Sequence, residues 1–356
     1  MTNKRIIFTG GGTAGHVVVN LALMPEFIKE GYDIHYIGSY QGIERELVEG
    51  MEGVTYHGIA TGKLRRYLSA QNMKDPFKVL KGVFQAKKLM KELKPSIVFS
   101  KGGFVSVPVV MASKMSNIPS IIHESDYTPG LANKIATNFA KYVLTTFPET
   151  NEYLPQNKVK NVGAIVRDEL FQGDPGQAYQ MTDFVKSKPT LLVMGGSAGA
   201  QSINEAIRSN LPQLLEEFQV IHLCGKGKLD ASIKQYGYVQ YEYVTDELKD
   251  LLAIADVVVS RAGANAIFEF LALKKPMLLI PLSRQASRGD QILNAESFKK
   301  RGYAQMLEDE EVNDQTLYEQ IQELYQNREK YIQNMQAYQP IKTKDEVINL
   351  IKTTMK

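Results

Sequence analysis

The stretch FTGGGTAGHVVVN, Phe8 to Asn20, sets a histidine, His16, directly behind three glycines spaced G-x-G-x-x-G: Gly10, Gly12 and Gly15. Its flanks are a short apolar strand, RIIFT from Arg5 to Thr9, and a run from Val17 to Lys29 with the apolar spacing of a helix. Strand, glycine turn and helix N-terminus make an anion cradle, because free N–H groups and the positive end of the helix dipole face the turn. A phosphate is therefore expected nearby, with an imidazole beside it. A second set of chemistry-bearing groups lies in the other half. SRAGANAIFEF, Ser260 to Phe270, leaves a strand, turns through Gly263 and carries Glu269 in the first two turns of a helix. SRGDQILNA, Ser287 to Ala295, places Asp290, Gln291 and Asn294 at a helix start, where Gln291 and Asn294 are i, i+3 neighbours able to address one ligand. Carboxylates and amides at strand ends suit the hydroxyls of a ribose or hexose, while Asp290 reads equally well as an N-cap.

Short apolar strands before glycine turns and helices must position these groups. RIIFT, DIHYIG, PSIVFS, PSIIHE and YVLTTF recur through the first half, and after the loop-like PETNEYLPQNKVKNVGAIV the pattern restarts with TLLVM, VIHLC, VVVS and PMLLIP. That alternation predicts α/β architecture with two doubly wound parallel sheets in succession. The restart copies the opening, since LLVMGGSAGAQSIN, Leu191 to Asn204, is again strand, glycine turn and helix, and SKGGFVSVP, Ser100 to Pro108, is a third such turn. Three glycine turns at carboxyl ends of strands predict two Rossmann-like domains with parallel sheets facing across a binding cleft. A dinucleotide site would need an acid at the end of the second strand, which here closes Ile37-Gly38-Ser39; the first Glu beyond, Glu44, falls in the next helix. NAD is not expected.

At 356 residues and 44% hydrophobic content, the chain is long and apolar enough for two cores. Its one cysteine, Cys224, excludes an intrachain disulfide and a cysteine-rich zinc site. No signal-peptide region and no apolar run of about 18 residues is present, so a cytosolic protein or one on the cytosolic face of a membrane is expected. Charge is unevenly shared. Residues 1–163 hold 20 Lys/Arg against 13 Asp/Glu, whereas the remainder holds 22 against 26. No strand platform interleaves basic and aromatic residues, so nucleic acid is not expected, and anionic lipid is the other candidate for the positive half.

The ordered motifs GGGTAGH, SKGGFVSVP, IIHESDYTPGLANK, GGSAGA, SRAGANAIFE and GDQILNA span the chain, which resembles the MurG family of peripheral membrane glycosyltransferases. The resemblance implies the GT-B fold, with an acceptor- and membrane-binding domain at 1–163, a UDP-GlcNAc-binding domain at 164–340, and a C-terminal helix at 341–356 packing back on the first domain. It implies inverting transfer of GlcNAc from UDP-GlcNAc to the C4 hydroxyl of MurNAc in lipid I, undecaprenyl-diphospho-MurNAc-pentapeptide, giving lipid II. No cofactor and no metal held by Asp-x-Asp is implied, and the sequence has no Asp-x-Asp pair. Donor contacts carried over by position are Ser197, Arg167 and Gln291, with Val244 reading uracil through its main chain, Glu269 the ribose, and the segment Ala264, Asn265, Ala266, Ile267, Phe268 wrapping the nucleotide; Asn294 stands with Gln291. In the first domain Thr13, Ala14 and Gly15 line the cleft, Asp126 stands where the family usually has asparagine, and His16 becomes the candidate base, with His123, Glu124 and Asp126 as alternatives. The lipid's own diphosphate is then a guest for the first glycine turn. Rival readings on the same fold are a UDP-sugar epimerase and a non-catalytic nucleotide or membrane adaptor.

The family's T-G-G-H-x-x-P reads Thr13-Ala14-Gly15-His16-Val17-Val18-Val19 here, H-E-Q-N reads His123-Glu124-Ser125-Asp126, and N-P-V-R reads Ala164-Ile165-Val166-Arg167. Between Lys63 and Lys94, Met73, Phe77, Leu80 and Phe84 recur at helical spacing among Lys74, Lys78, Lys81, Lys87, Lys88 and Lys91. Such a stripe is ordinarily core. Given a polyprenyl acceptor, it becomes the expected dock on an anionic membrane, with peripheral placement on its cytoplasmic face and other cell-wall synthesis proteins as further partners.

Overall fold

The computed structural model describes residues 4–62, 75–196, 199–338 and 341–356. Met1–Ile165 together with Pro340–Lys356 forms one compact unit, and Val166–Gln339 forms the other.

In the first unit seven strands run parallel: β1 (Arg5–Thr9), β2 (Asp33–Ser39), β3 (Val54–Ile59), β4 (Ile97–Ser100), β5 (Ser120–Glu124), β6 (Tyr142–Thr145) and β7 (Val159–Asn161). Their order across the sheet is β3-β2-β1-β4-β5-β6-β7. Alternate residues serve opposite faces, as strand geometry requires. Ile6, Phe8, Ile34, Tyr36, Ile97 and Phe99 fill one face, while Ile7, Ile37, Ile59 and Val98 fill the other under Val83, Ala86 and Met90 of the helix Asp75–Leu93. Burial of both faces explains why these strands read as unbroken apolar runs.

The second unit carries β8 (Thr190–Met194), β9 (Gln219–Leu223), β10 (Tyr238–Tyr241), β11 (Val257–Ser260), β12 (Met277–Leu279) and β13 (Ala304–Met306). These are again all parallel, in the order β10-β9-β8-β11-β12-β13. Leu191, Val193, Val220, Val257, Val259 and Leu278 form the centre of its core.

The order reverses direction at β1/β4 in the first unit and at β8/β11 in the second. At such a switch point the connections leave toward opposite faces, opening a crevice at the carboxyl ends of the strands. Two of the three glycine turns flank the first switch point, and the third flanks the second. Four strands lack a counterpart in the apolar pattern of the sequence: β3, β7, β10 and β13. They are short or half-exposed, and each lies at a sheet edge with a single neighbour.

The last helix, Ile341–Thr354, belongs to the first unit, where Val347, Ile348 and Ile351 enter the core beside Leu23 and Phe27. Lys344 reaches Glu26 at 3.0 Å and Lys352 reaches Glu30 at 2.6 Å. Such partly exposed pairs contribute little beside the apolar burial. Ile351→Ala, at a fully buried position, should therefore cost about 2–5 kcal/mol, measured by denaturant unfolding. A loss no larger than that of a surface substitution would mean that this helix is not part of the core.

Candidate functional site

In the first unit, β1 runs into the glycine turn and then a short 3-10 turn, Ala14–His16, before the helix Val18–Lys29. Thr13 is exposed and Ala14, Gly15 and His16 are half-buried. The turn after β4 closes against it. A Cβ on Gly103 would lie 2.1 Å from the Gly11 carbonyl oxygen and 3.0 Å from His16 Nδ1, so only glycine permits this approach.

His16 Nδ1 lies 3.1 Å from the Gly11 carbonyl oxygen and 3.1 Å from Thr13 Oγ1. A carbonyl only accepts, so Nδ1 carries the proton in the neutral ring and Nε2 holds the lone pair. The glycine turn thus fixes which nitrogen is basic.

The turn also holds a carboxylate of its own. Glu44, on the helix Ile43–Val48, is fully buried and folds back so that Oε2 accepts from the Gly12 N–H at 3.1 Å and Oε1 from the Ser39 N–H at 3.0 Å, with the Ser39 hydroxyl as a further donor. A buried carboxylate thus takes up the Gly12 N–H of this turn. No spacing rule marks Glu44, because it reaches the turn from a helix rather than from the end of β2.

Three of the expected groups come from the end of β5 and the loop after it. His123 is 1% exposed, and burial, with the Lys101 charge adding to it, pushes its imidazole well below the usual histidine range. It stays neutral inside the sheet. Glu124 is buried, with Oε1 accepting from the Asp126 N–H at 3.0 Å and Oε2 from the Gly130 N–H and Asn133 Nδ2 at 2.9 Å each. Its oxygens are committed to holding the loop. Asp126 is half-exposed at the rim.

In the second unit, Arg167 opens the short 3-10 turn Asp168–Gln172, and Glu269 lies in the helix Ala264–Ala272. The two are brought together: Arg167 Nε donates to Glu269 Oε1 at 3.0 Å and a second guanidinium nitrogen to Oε2 at 3.4 Å. Burial raises the Glu269 carboxyl more than the Arg167 charge lowers it, and burial likewise opposes the Arg167 charge, which Glu269 upholds. Each charge favours the ionised form of the other against the cost of burial.

Other expected contacts divide by burial. Asn265 and Ala266 are half-exposed, but Ala264, Ile267 and Phe268 are buried, and Phe268 packs edge-on against Phe298 with ring centroids 5.0 Å apart. Asn265 and Ala266 turn outward, while the helical period turns the side chains of Ala264, Ile267 and Phe268 into the core. Asn294 is fully buried and donates to the Ala262 carbonyl at 3.1 Å, which fastens the turn. Gln291 is half-buried, and its Oε1 accepts from the Leu282 N–H at 3.1 Å. Asp290 is the first helical residue behind Gly289, beside Arg288 at 3.6 Å, and does not cap the helix with its side chain. Val244 is half-buried in the loop after β10. Ser197 lies outside the described residues.

Arg261, one residue past β11, was not marked by any motif spacing. Its guanidinium bonds the Ile280 carbonyl at 3.2 Å, Ser202 Oγ at 3.2 Å and Asp309 at 2.7 Å, tying together the ends of β11 and β12 and the helix Gln201–Ser209.

Two family models match: the glycosyltransferase family 28 N-terminal domain over residues 6–145 and its C-terminal domain over residues 190–351. The chain is 58% identical over 354 residues, 99% of both chains, to a protein of Oceanobacillus iheyensis named UDP-N-acetylglucosamine--N-acetylmuramyl-(pentapeptide) pyrophosphoryl-undecaprenol N-acetylglucosamine transferase. The chain belongs to the MurG group of glycosyltransferase family 28. A protein of the same name from Geobacillus thermodenitrificans is 58% identical over 334 residues, 94% of each chain. The crystal structure of Acinetobacter baumannii MurG matches with a TM-score of 0.75 at 25% identity, covering 98% of this chain and 99% of that one. The fold is accordingly GT-B, and the chain is a glycosyltransferase.

Membership in this family makes the Glu44 contact a matter of loop integrity rather than cofactor choice. In Glu44→Gln one amide N–H₂ must face a backbone or hydroxyl donor, so stability should fall by about 1–3 kcal/mol, read by urea unfolding. Unchanged stability would show that the carboxylate is not what holds the turn.

Proposed function

We propose that this chain transfers N-acetylglucosamine, with inversion, from UDP-GlcNAc to the C4 hydroxyl of the MurNAc residue of lipid I, giving lipid II for peptidoglycan. The observation that carries this reading is the 58% identity across 99% of the chain to a protein whose name states that transfer. The site chemistry is compatible with it.

The first unit takes the acceptor. His16 Nε2, left basic by the Nδ1–H bond to Gly11, accepts the proton of the attacking hydroxyl as the bond to the anomeric carbon forms. Burial of His123 and the saturated oxygens of Glu124 argue against either as the base. Thr13, Ala14, Gly15 and Asp126 are the further substrate contacts of this unit.

The second unit takes the donor. Glu269 accepts from ribose hydroxyls while Arg167 remains bonded to it and offsets the charge gathering on the departing UDP. Gln291 donates through Nε2, its Oε1 being engaged with Leu282. The glycine turn after β8 takes the diphosphate, and Val244 reads the uracil through its main chain; Ser197, outside the described residues, is a donor contact by motif position alone.

The acceptor's polyprenyl chain requires contact with lipid. No described helix is long and apolar enough to cross a membrane. On the helix Asp75–Leu93, however, Phe77, Leu80 and Phe84 are 75%, 53% and 60% exposed, on a different side from the core residues Val83, Ala86 and Met90. Lys81, Lys87, Lys88 and Lys91 lie along the same helix. We assign this stripe as a peripheral dock on the cytoplasmic face of an anionic membrane, where other cell-wall synthesis proteins are further partners; Met73, Lys74 and residues 63–67, which the sequence pattern adds to it, lie outside the described residues.

Radiolabel from UDP-GlcNAc should appear in a lipid I analogue, with or without a chelator; absence of transfer would overturn the reading, and collapse with chelator its metal-free form. His16→Ala should lower turnover about 10²–10⁴-fold while both substrates still bind, and near-normal turnover would remove His16 as base. Replacing Phe77 and Leu80 together by Ser should weaken sedimentation with anionic vesicles at unchanged melting temperature. Equal vesicle binding would place the dock elsewhere.

A further inference from the structure

Behind the glycine turn of the second unit lies a buried polar chain that the donor contacts do not use. Asn204, in the helix Gln201–Ser209, is buried and donates through Nδ2 to the Cys224 carbonyl, just past β9, at 2.8 Å. His222 of β9 is fully buried, with Nε2 2.9 Å from Asn204 Oδ1 and Nδ1 2.9 Å from the Tyr238 hydroxyl on β10. The bond directions are fixed from the Cys224 end. A carbonyl only accepts, so Asn204 turns its amide N–H₂ to it and its Oδ1 to the ring; Nε2 therefore carries the proton, and Nδ1 accepts from Tyr238. Burial, with the Arg208 charge adding to it, pushes the imidazole down to about 3 and keeps it neutral.

Such a chain is costly where it stands. Val193 pairs with His222 across the sheet, and Val193 and Val220 belong to the core under Ile203 and Ile207 of the same helix, where an apolar side chain at 222 would leave no polar group to satisfy. A fully bonded network in its place specifies one arrangement. What it specifies is the position of the carbonyl that Gly199 must pass, since a Cβ on Gly199, at φ +68°, would lie 2.1 Å from the Cys224 oxygen. Arg208, one turn further along the helix, adds a second tie by donating to the Lys228 carbonyl at 2.6 Å and to Gln240 Oε1 at 2.9 Å. We propose that Asn204 and His222 are positioning residues for the donor diphosphate, which set the glycine turn after β8 and the start of the helix Gln201–Ser209 against β9 so that the N–H groups of the turn meet the phosphates in one geometry. Both act through the turn, because both are buried.

This role rests on the transferase reading for its ligand, and UDP binding separates the two because it needs no acceptor. Wild type, His222→Phe, His222→Gln and Asn204→Ser are compared by UDP titration calorimetry, by urea unfolding, and by kcat and both KM values in the transfer assay. His222→Phe and Asn204→Ser should each weaken UDP binding and raise KM for UDP-GlcNAc about tenfold, the change expected from one lost hydrogen bond, with KM for the lipid I analogue within about twofold of wild type. His222→Gln, whose amide N–H can stand where Nε2–H does, should return UDP affinity to within about threefold of wild type. Asn204→Ser carries the test alone should His222→Phe fail to fold. Unchanged UDP affinity in the folded variants, or no recovery in His222→Gln, overturns the role. A lower kcat at unchanged UDP affinity reports only a smaller folded fraction and overturns it as well. A wild-type chain that binds UDP but transfers nothing, with the variants still weakened toward UDP, refutes the assigned reaction and leaves the positioning role standing.

Discussion

Every functional loop in this protein depends on one constraint, the reversal of strand order beside the first strand of each sheet. From β1 the chain crosses over one face to reach β2, and it later crosses the other face to reach β4; β8, β9 and β11 repeat the scheme. Parallel strands joined by right-handed crossovers can open in no other way, so the loops after β1 and β4, and after β8 and β11, diverge and leave main-chain groups unpaired. Those groups must then be satisfied or offered to a ligand. Where the glycines fall follows from that choice: Gly103 brings the β4 turn onto the β1 turn, and Gly199, with φ +68°, brings its loop against the Cys224 carbonyl.

The two units settle the unpaired groups differently. In the first, buried carboxylates from neighbouring elements take them up, Glu44 on Gly12 and Ser39, and Glu124 on the loop from Asp126 to Gly130. Loops held by internal anions keep one shape, and a fixed Gly11 carbonyl is what gives His16 a fixed tautomer. In the second, the anion is itself held by a cation, Arg167 on Glu269. A buried pair of that kind is costly to strip but can exchange one oxygen for a ligand hydroxyl without leaving either charge alone. A rigid side for the reacting hydroxyl and an exchangeable side for a nucleotide fit the division of labour between acceptor and donor.

Much of this was legible before the coordinates. The central strands announce themselves because both of their faces are buried, and the glycine turns because nothing else tolerates their approach distances. Edge strands were not legible: β13 is three residues, AQM, and its place comes from pairing with β12 rather than from its own pattern. Among site residues, motif position put Glu269 and Arg167 in the right unit but carried no sign that they bond to each other, because 102 residues separate them. Nor did motif position show that the side chains of Asn294 and Phe268 are buried. Helical period places them near a ligand-bearing turn, and only packing shows that they face inward. Glu44 was noted only as an acid misplaced for a dinucleotide, because a lone charged residue inside a helix resembles a solvated one until its burial is known.

The helix Asp75–Leu93 carries a second apolar stripe besides the one that seats it on the sheet. Val83, Ala86 and Met90 suffice to seat it on the sheet, so Phe77, Leu80 and Phe84 add nothing to folding and leave apolar surface in water. On the lipid-docking reading, burying each returns at most about 1.5–3 kcal/mol, less than that for groups already partly covered, and each nearby lysine adds about 1 kcal/mol against an anionic leaflet. Three side chains and a few lysines therefore give reversible attachment, far short of the hold of a spanning helix. An enzyme whose acceptor stays in the membrane while its other substrate is water-soluble needs that intermediate strength, since it must meet the lipid without being buried in it.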